Sequence, residues 1–126
     1  MSSKDTRSYE EVLMDVHESL DVLMPTYNSV QHLESALRSI KKAVPDYQLI
    51  VVDRHSKDGT LDVLKRHGAQ VYFDDKSLGR ARQLLLEKST SPIVLMFDSD
   101  VVIDEEGWYQ RALRLLGSQS KDGERI

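Results

Sequence analysis

The chain has 126 residues, of which 40% are apolar, so it can bury one hydrophobic core and fold as a single compact domain. Lysine and arginine number 17 against 21 acidic residues, and the net charge of −4 argues against a surface that binds nucleic acid non-specifically. Cysteine is absent from the sequence, which excludes disulfides, thiolate metal sites and a thiol nucleophile.

Membrane insertion is not indicated by the sequence. No apolar run approaches the roughly 20 residues that a membrane-spanning helix needs, and residues 1–7 are polar rather than signal-like. The lack of cysteine fits a reducing compartment. We therefore expect a soluble, cytoplasmic protein, with a peripheral link to membranes, through a partner or a missing segment, as the alternative.

The first predicted element is an amphipathic helix in residues 1–19, an extension that precedes the main domain. Its apolar side chains follow spacings of three and four, at Tyr9, Val12, Leu13, Val16 and Leu20. An exposed apolar stripe of this kind would serve assembly, including association of two copies of the chain.

After this helix, short apolar strands alternate with amphipathic helices. The predicted strands are Asp21–Met24, Tyr47–Val52, Val71–Phe73 and Ile93–Phe97. The predicted helices contain the stripe Leu33, Ala36, Leu37 and Ile40, then Leu61–His67 ended by Gly68, then Ala81, Leu84, Leu85 and Lys88, then Trp108–Leu116. We expect the polar tail, residues 118–126, to be frayed.

This alternation predicts an α/β fold, with a mostly parallel, Rossmann-like sheet covered by helices on both faces. In such sheets a ligand binds beyond the carboxyl ends of the strands, so the residues that follow each strand are the first candidates for a site. Carboxylates, arginines and glycine-bearing turns stand there, in the segments Pro25–Asn28, Val52–Thr60, Leu78–Arg82 and Phe97–Asp100. Such residues suit a charged ligand bridged by a metal ion.

The segment Asp98-Ser99-Asp100 gives the strongest single indication of chemistry. Its two carboxylates follow an apolar strand that would otherwise bury them, and buried carboxylates without partners are costly. Mg²⁺ or Mn²⁺ would offset that cost, because such ions are held by one or two carboxylates together with phosphate oxygens and water. The alternative interpretation is a solvated turn at the end of a strand.

Other candidates each have a functional and a structural interpretation. Asp53 would accept hydrogen bonds from a base or a ribose, or else cap the turn Ser56–Thr60. Arg80 and Arg82 begin a helix, where guanidinium and backbone N–H groups meet phosphate, or else they form a solvated face. Tyr27 would pack against a planar base, or else belong to the core.

Taken together and in order, these segments resemble those of the family-two inverting glycosyltransferases, which have a GT-A fold. The family pattern runs strand, Pro-Thr-Tyr-Asn, strand, Val-Asp-Asp-x-Ser-x-Asp-Gly-Thr, an Ala-Arg-Asn-like helix start preceded by glycine, and Asp-x-Asp after a strand. The similarity spans about Leu20 to Leu116, so we expect residues 20–117 to form the nucleotide-sugar-binding half of that fold. Arg54 stands here where the pattern has its second aspartate.

The resemblance implies that the chain binds a nucleoside-diphosphate sugar, linked to UDP or GDP. By position, it implies that Asp53 contacts the base, that Arg82 faces the diphosphate and that Asp100 ligates the metal directly. The full set of implied donor-binding residues is Pro25, Thr26, Tyr27, Asp53, Arg54, Gly79, Arg80, Arg82, Asp98 and Ser99, with Asp98 and Asp100 as ligands of Mg²⁺ or Mn²⁺.

The resemblance also implies a reaction. Family enzymes transfer the sugar with inversion, when an acceptor hydroxyl deprotonated by a carboxylate attacks the anomeric carbon opposite the leaving diphosphate. The family's acceptor half and its general base lie well beyond the Asp-x-Asp, and only 26 residues follow Asp100 here, so we assign no catalytic base. We expect a truncated fold, completed by a longer chain or by a partner, or one that binds donors without turning them over.

Two other function classes fit parts of the pattern. A phosphohydrolase of the haloacid-dehalogenase type also places Asp-x-Asp after an apolar strand and uses the first aspartate as nucleophile, but its motif normally opens the domain. A non-catalytic nucleotide-sugar-binding or assembly domain would keep the pocket, or only the scaffold. Metal-dependent binding of a nucleoside diphosphate would separate the phosphohydrolase and the bare scaffold from the donor-binding hypothesis.

Overall fold

The computed structural model describes residues 20–103, 105–112 and 114. These residues contain four parallel strands and three connecting helices: β1 (Leu20–Thr26), α1 (Val30–Ala43), β2 (Gln48–Asp53), α2 (Thr60–Arg66), β3 (Gln70–Phe73), α3 (Leu78–Lys88) and β4 (Ile93–Met96). The strands form one sheet in the order β3-β2-β1-β4, and residues 108–112 and 114 are helical as well.

The core lies in two layers, one on each face of the sheet. Side chains alternate along a strand, so Val22 and Val51 pack with α1 and α2, whereas Leu23 and Ile50 pack with α3. The apolar stripe predicted for α1, namely Leu33, Ala36, Leu37 and Ile40, is fully buried. The predicted α/β fold, with a parallel sheet and helices on both faces, is thereby confirmed.

Strand β1 extends past Pro25, where we predicted it to end. The carbonyl of Thr26 accepts the N–H of Arg54 at 2.9 Å, so Thr26 faces β2 and the backbone of Pro25, one residue earlier, faces the β4 side. Pairing with β4 has already ended at Leu23 and Met96. The missing N–H of Pro25 therefore leaves no ladder hydrogen bond unmade, and the strand continues to the edge of the candidate site.

The other strands and α2 differ from their predicted bounds by a single residue at one or both ends. Gly68 follows the end of α2 with a φ of 71°, a left-handed conformation that glycine adopts without strain, and its N–H donates to the carbonyl of Lys65. The predicted N-terminal helix, residues 1–19, and the tail, residues 118–126, lie outside the described residues.

Among the strands that the structure describes, β4 is the outermost one beside β1, and its side chains are less buried than those of β1. Every residue of β1 is buried, whereas no residue of β4 is, and Val94 is 38% exposed. In the turn that follows β4, the side chains of Asp98 and Asp100 are exposed in the described part of the chain. Within the segments that the structure describes, no helix combines the length and the apolar character needed to cross a bilayer.

Candidate functional site

A cavity of about 520 Å³ opens at the carboxyl edge of the sheet, beside the first turn of α3. This is the edge at which open parallel sheets bind their ligands. Its wall is formed by residues at or after the carboxyl ends of all four strands and by residues near the starts of α1 and α3: Pro25, Thr26, Tyr27, Asn28, Ser29, His32, Val52, Arg54, Asp74, Ser77, Leu78, Ala81, Arg82, Asp98, Ser99 and Asp100. Most of the predicted site residues thus meet in one place, whereas Asp53, Gly79 and Arg80 lie beside the cavity without forming its wall.

Residues 27–29 after β1 and residues 54–59 after β2, which we call the paired loops, bond to each other. The backbone N–H of Asn28 donates to the Ser56 hydroxyl at 2.8 Å, and the Asn28 side-chain oxygen accepts the N–H of Lys57 at 2.9 Å. Asn28 has a φ of 44°, a left-handed conformation that asparagine tolerates better than most residues. The shape of this side of the cavity is therefore fixed by contacts within the chain.

A second group of contacts ties the paired loops to the starts of α1 and α2. The Asp58 carboxylate accepts hydrogen bonds from the N–H and the hydroxyl of Thr60, and from the N–H of Val30 at 3.2 Å. The Thr60 oxygen in turn accepts the N–H of Ser29 at 2.7 Å. These bonds, with that from the Thr60 hydroxyl as the largest cause, lower the pKa of Asp58 below its usual value of 3.8.

Asp53 is fully buried between the paired loops. Its Oδ1 accepts the hydroxyls of Thr26 at 2.7 Å and Ser56 at 2.6 Å, and its Oδ2 accepts the N–H of Ser56 at 2.7 Å. These are the contacts of the turn cap, one of the two roles considered from the sequence. Contact of Asp53 with a base stays a prediction, and the carboxylate is not part of the cavity wall.

Tyr27 and Arg54 form an exposed aromatic and cationic pair on the cavity wall. The Tyr27 side chain is 56% exposed, so this residue does not belong to the core. The guanidinium carbon of Arg54 lies 5.5 Å from the centre of the Tyr27 ring, within the range of a cation–π interaction. The pair offers a planar ligand both a surface for stacking and hydrogen-bond donors.

The Asp98–Asp100 turn is exposed among the described residues, whereas we expected the apolar strand before it to bury its carboxylates. The side chain of Asp98 is 60% exposed in this part of the chain. A carboxylate oxygen of Asp98 lies 3.4 Å from a guanidinium nitrogen of Arg82, whose side chain is 45% exposed. Both carboxylates face the cavity. Because they are exposed, the case for a cation here does not rest on a free-energy cost of burying them.

The donor atoms of this turn fit a divalent cation that shares its shell with a ligand. Within residues 20–103, 105–112 and 114, no group of three or more histidine, aspartate or glutamate side chains is arranged to hold a metal by itself. Mg²⁺ and Mn²⁺ do not need such a group, because one or two carboxylates suffice where phosphate oxygens and water complete the shell. Asp98 and Asp100 would supply those two carboxylates.

Two arginines lie near the start of α3, Arg80 in its first turn and Arg82 just after it, and one of them faces the cavity. Arg82 lines the wall, whereas the guanidinium of Arg80 lies 3.3 Å from the carboxylate of Asp74 and outside the wall. The backbone N–H of Arg80 donates to the Ser77 hydroxyl at 3.0 Å, which caps the helix. Gly79, between these residues, also lies in that first turn and outside the wall.

Several wall residues were missed from the sequence. Asn28 ends a segment that we singled out and Ser29 follows it directly, but the sequence assigned no role to either of them or to His32. The hydroxyls of Ser29 and Ser99 lie 3.0 Å apart and connect the paired loops with the Asp98–Asp100 turn. No local pattern predicts this contact, because it depends on the positions of β1 and β4 in the sheet.

Both the sequence and the structure of this chain are similar to those of known proteins. The family model described as glycosyl transferase family 2 matches residues 21–124. The poly(ribitol-phosphate) beta-N-acetylglucosaminyltransferase TarP of Staphylococcus aureus (strain N315) is 32% identical over 115 residues, which cover 83% of this chain and 34% of that protein. The chain spans about a third of the length of such curated relatives.

Solved structures show the same architecture. The crystal structure of Staphylococcus aureus TarS 1-349 in complex with UDP matches with a TM-score of 0.64 and 27% identity, over 75% of this chain and 31% of that one. The mannosyltransferase PcManGT of Pyrobaculum calidifontis, in complex with GDP-Man and Mn²⁺, matches with a TM-score of 0.65 and 22% identity, over 84% of this chain and 37% of that one. The second similarity, at its lower identity, shows the fold alone.

Proposed function

This chain belongs to glycosyl transferase family 2, and from that premise we propose that it is the donor-binding domain of a glycosyltransferase, whose cavity takes a nucleoside-diphosphate sugar. The observation that carries the proposal is the convergence of an exposed tyrosine, two arginines and two neighbouring carboxylates on one cavity. That set combines a surface for a flat base with the charged groups that a diphosphate and a cation require.

The nucleoside end of the donor is assigned to the wall formed by β1 and the paired loops. Pro25, Thr26 and Tyr27 line this part of the cavity, and Arg54 lies over the tyrosine ring. An aromatic side chain that keeps much of its surface exposed gives a base an apolar face on which to stack. The contacts between the paired loops hold this wall in place without a ligand.

The diphosphate end is assigned to the Asp98–Asp100 turn and Arg82. A guanidinium group makes strong, charge-assisted hydrogen bonds to phosphate oxygens. A divalent cation, Mg²⁺ or Mn²⁺, held by Asp98 and Asp100 would neutralise negative charge on the diphosphate as it leaves. The proposal is supported by the GDP-Man and Mn²⁺ of the similar mannosyltransferase and by the UDP of the TarS complex.

The transfer step is proposed to proceed with inversion. The acceptor hydroxyl gives its proton to a general base, and its oxygen forms a bond to the anomeric carbon while the bond from that carbon to the diphosphate breaks. Arg82 stabilises the negative charge that develops on the diphosphate. We assign no general base to the residues that the structure describes. Membership of the transferase family replaces the phosphohydrolase alternative, in which Asp98 would be the nucleophile.

Three further predictions from the sequence stay predictions. Association of copies through residues 1–19 concerns a segment outside the described residues. The geometry of the cavity does not bear on the predicted cytoplasmic location or on the predicted peripheral link to membranes. The identity of the acceptor is not assigned, because the described wall accounts for a donor alone.

Metal-dependent binding of nucleoside diphosphates tests the proposed function. We expect UDP or GDP to raise the melting temperature in the presence of Mn²⁺, since a ligand at about 100 times its Kd stabilises the folded state by about 2.7 kcal/mol. Asp100→Ala is expected to abolish the part of the shift that depends on Mn²⁺. The matched control is Asp46→Ala, which removes an exposed carboxylate just before β2, at the opposite end of the sheet.

The possible outcomes separate the alternatives. If no nucleotide changes the melting temperature, donor binding is wrong and the scaffold interpretation gains. If nucleotides bind equally well with and without Mn²⁺, the metal assignment of Asp98 and Asp100 is wrong. If sugar donors bind but no sugar is released or transferred with any acceptor, the chain binds donors without turning them over.

A further inference from the structure

We propose that Ser29 is a positioning residue for the cation site. Through the hydrogen bond between its hydroxyl and that of Ser99, Ser29 holds the Asp98–Asp100 turn in the orientation in which the two carboxylates share a cation with the diphosphate of the donor. The inference rests on the proposed function, because it concerns the same cavity. It assigns to the Ser29 side chain a role that the fold of α1 does not require.

Ser29 stands directly before α1, at the position where a serine hydroxyl ordinarily caps a helix. In this chain the hydroxyl of Ser29 makes no such cap. The backbone of Ser29 serves the helix, since its carbonyl accepts the N–H groups of His32 and Leu33 at 3.1 and 2.9 Å. Removing the hydroxyl would therefore leave the start of α1 with the bonds that it has now.

The hydroxyl of Ser29 makes three contacts, which together fix the direction of its proton. Its oxygen accepts the N–H of Tyr27 at 3.2 Å, and its proton is donated to the carbonyl of Tyr27 at 3.1 Å. A hydroxyl has one proton and two acceptor sites. In the third contact, at 3.0 Å, Ser99 is therefore the donor and Ser29 the acceptor.

Ser29 is itself held in place by the network of the paired loops. Its N–H donates to the hydroxyl oxygen of Thr60 at 2.7 Å, and the hydroxyl of Thr60 donates to the carboxylate of Asp58 at 2.5 Å. The same carboxylate accepts the N–H of Val30, the first residue of α1. The bridge to Ser99 thus attaches the turn to a fixed point, although the two serines are 70 positions apart in the sequence.

The other contacts of the Asp98–Asp100 turn are weaker. The N–H of Val101 donates to the carbonyl of Asp98 at 3.2 Å, which closes the turn without attaching it to another element. The contact between Asp98 and Arg82, at 3.4 Å, joins two exposed side chains, and such pairs contribute little to stability. The bridge from Ser99 is shorter than either contact and is partly buried.

The place of Ser99 in the turn explains why this bridge bears on the cation. Ser99 lies between the two aspartates, so a bond that fixes Ser99 also fixes the backbone from which both carboxylates project. Mg²⁺ in particular demands near-octahedral geometry from its ligands. Groups that orient ligating side chains typically change metal affinity about 10–100-fold when they are removed.

The part of nucleotide binding that depends on the metal tests the proposal. Calorimetry on the full chain measures the Kd of UDP and of GDP without and with Mn²⁺, and we call the quotient of these two values the metal ratio. We expect Ser29→Ala to lower the metal ratio of the wild type about tenfold, in line with the loss of a group that orients metal ligands. The Kd measured without Mn²⁺ is expected to stay the same, because the wall beside Tyr27 keeps its backbone contacts.

Substitutions at both ends of the bridge identify the contact itself. Ser99→Ala removes the same hydrogen bond from the other side, so we expect it to match Ser29→Ala and the double variant to be no worse than either. Ser99→Thr keeps a hydroxyl, so the metal ratio of the wild type is expected to persist. The control is Ser91→Ala, which removes a hydroxyl bonded to Asp21 at 2.8 Å at the opposite end of the sheet, and it is expected to leave the metal ratio unchanged.

The inference is overturned if the wild type needs Mn²⁺ for tight binding and Ser29→Ala leaves the metal ratio unchanged. Additive losses in the double variant would also overturn it, since Ser99 would then act on the ligand independently of Ser29. Equal weakening with and without Mn²⁺ would show that Ser29 only shapes the paired loops. If the wild type binds no nucleotide, the donor-binding function is disproved, and if it binds equally well without Mn²⁺, the metal assignment is disproved; the positioning role fails with either.

Discussion

The two sides of the cavity are built in different ways. On the side of the paired loops, the carboxylate of Asp53 is buried and accepts three hydrogen bonds from the chain itself. On the side of the Asp98–Asp100 turn, the Asp98 carboxylate is exposed and its contact with Arg82 is a long one, at 3.4 Å. The comparison shows that similar acidic residues at strand ends shape the site on one side and leave charge available to a ligand on the other.

The largest effect is expected on the side of the paired loops. Asp53→Ala would leave the Thr26 hydroxyl and both Ser56 donors without their acceptor in a buried position. Because unsatisfied buried polar groups cost about 1–3 kcal/mol each, we expect the free energy of unfolding to fall by about 3 kcal/mol or more. Urea denaturation followed by circular dichroism measures this loss.

The control for this substitution lies at the other end of the sheet. Asp21 is also completely buried, and its carboxylate accepts the hydroxyls of Ser89 and Ser91, both at 2.8 Å. We expect Asp21→Ala to lower stability by a similar amount but to leave the Kd of nucleotides unchanged in the molecules that stay folded. A stability loss below about 0.5 kcal/mol for Asp53→Ala, typical of a surface site, would show that Asp53 does not hold the loops together.

A smaller and different effect is expected on the side of the exposed turn. Arg82→Gln breaks an ion pair between two exposed side chains, so the free energy of unfolding should change by no more than about 0.5 kcal/mol. We expect the affinity for UDP or GDP to fall about tenfold, because a charge-assisted hydrogen bond to phosphate is lost. Calorimetry with the nucleosides uridine and guanosine, which lack the diphosphate, provides the control and should show no change.

The smallest effect concerns acid stability of the paired loops. The pKa of Asp58 is lowered in the folded protein, chiefly by the Thr60 hydroxyl, so its contribution is fully present above its usual value of 3.8 and is lost as the pH falls through the lowered value. We therefore expect the wild type to exceed Asp58→Asn in melting temperature at neutral pH, and the difference to shrink as the pH falls below about 4. Glu34, whose pKa is also lowered, is common to both proteins and cancels in the difference.

A difference in melting temperature that stays constant between pH 6 and pH 2 would contradict this role of Asp58. It would mean that the bonds from Thr60 and Val30 stabilise the protonated carboxyl group as well as the carboxylate. The comparison between the two sides of the cavity would then rest on Asp53 alone.

The order and type of the elements were predictable because they depend on local patterns. Spacings of three and four indicated α1, and the run from Tyr47 to Val52 indicated an inner strand. The run from Ile93 to Phe97 is equally apolar, so its sequence does not reveal that β4 is less buried than β2 among the described residues. The exposure of Asp98 there was not predictable for the same reason, since the burial of a strand depends on which elements lie beside it.

The site was predictable to the extent that it follows the ends of strands. This rule located Tyr27, Arg54 and Arg82 in the segments that now form the cavity wall. It did not locate His32, which lies in the first turn of α1. No comparable rule indicates which residues of a helix contribute to a site. The engagement of Asp53 with Thr26 was not predictable either, since the two residues are 27 positions apart and meet only through the pairing of β1 with β2.

The contacts between the paired loops have a consequence for protein engineering. Each loop supplies the hydrogen-bonding partners of the other, so a segment transplanted from a relative into one loop would meet a mismatched neighbour. A change at Asn28 and a change at Ser56 are expected to be strongly non-additive, because they disrupt the same bond. To change the donor preference, both loops and Thr60 are therefore best replaced together.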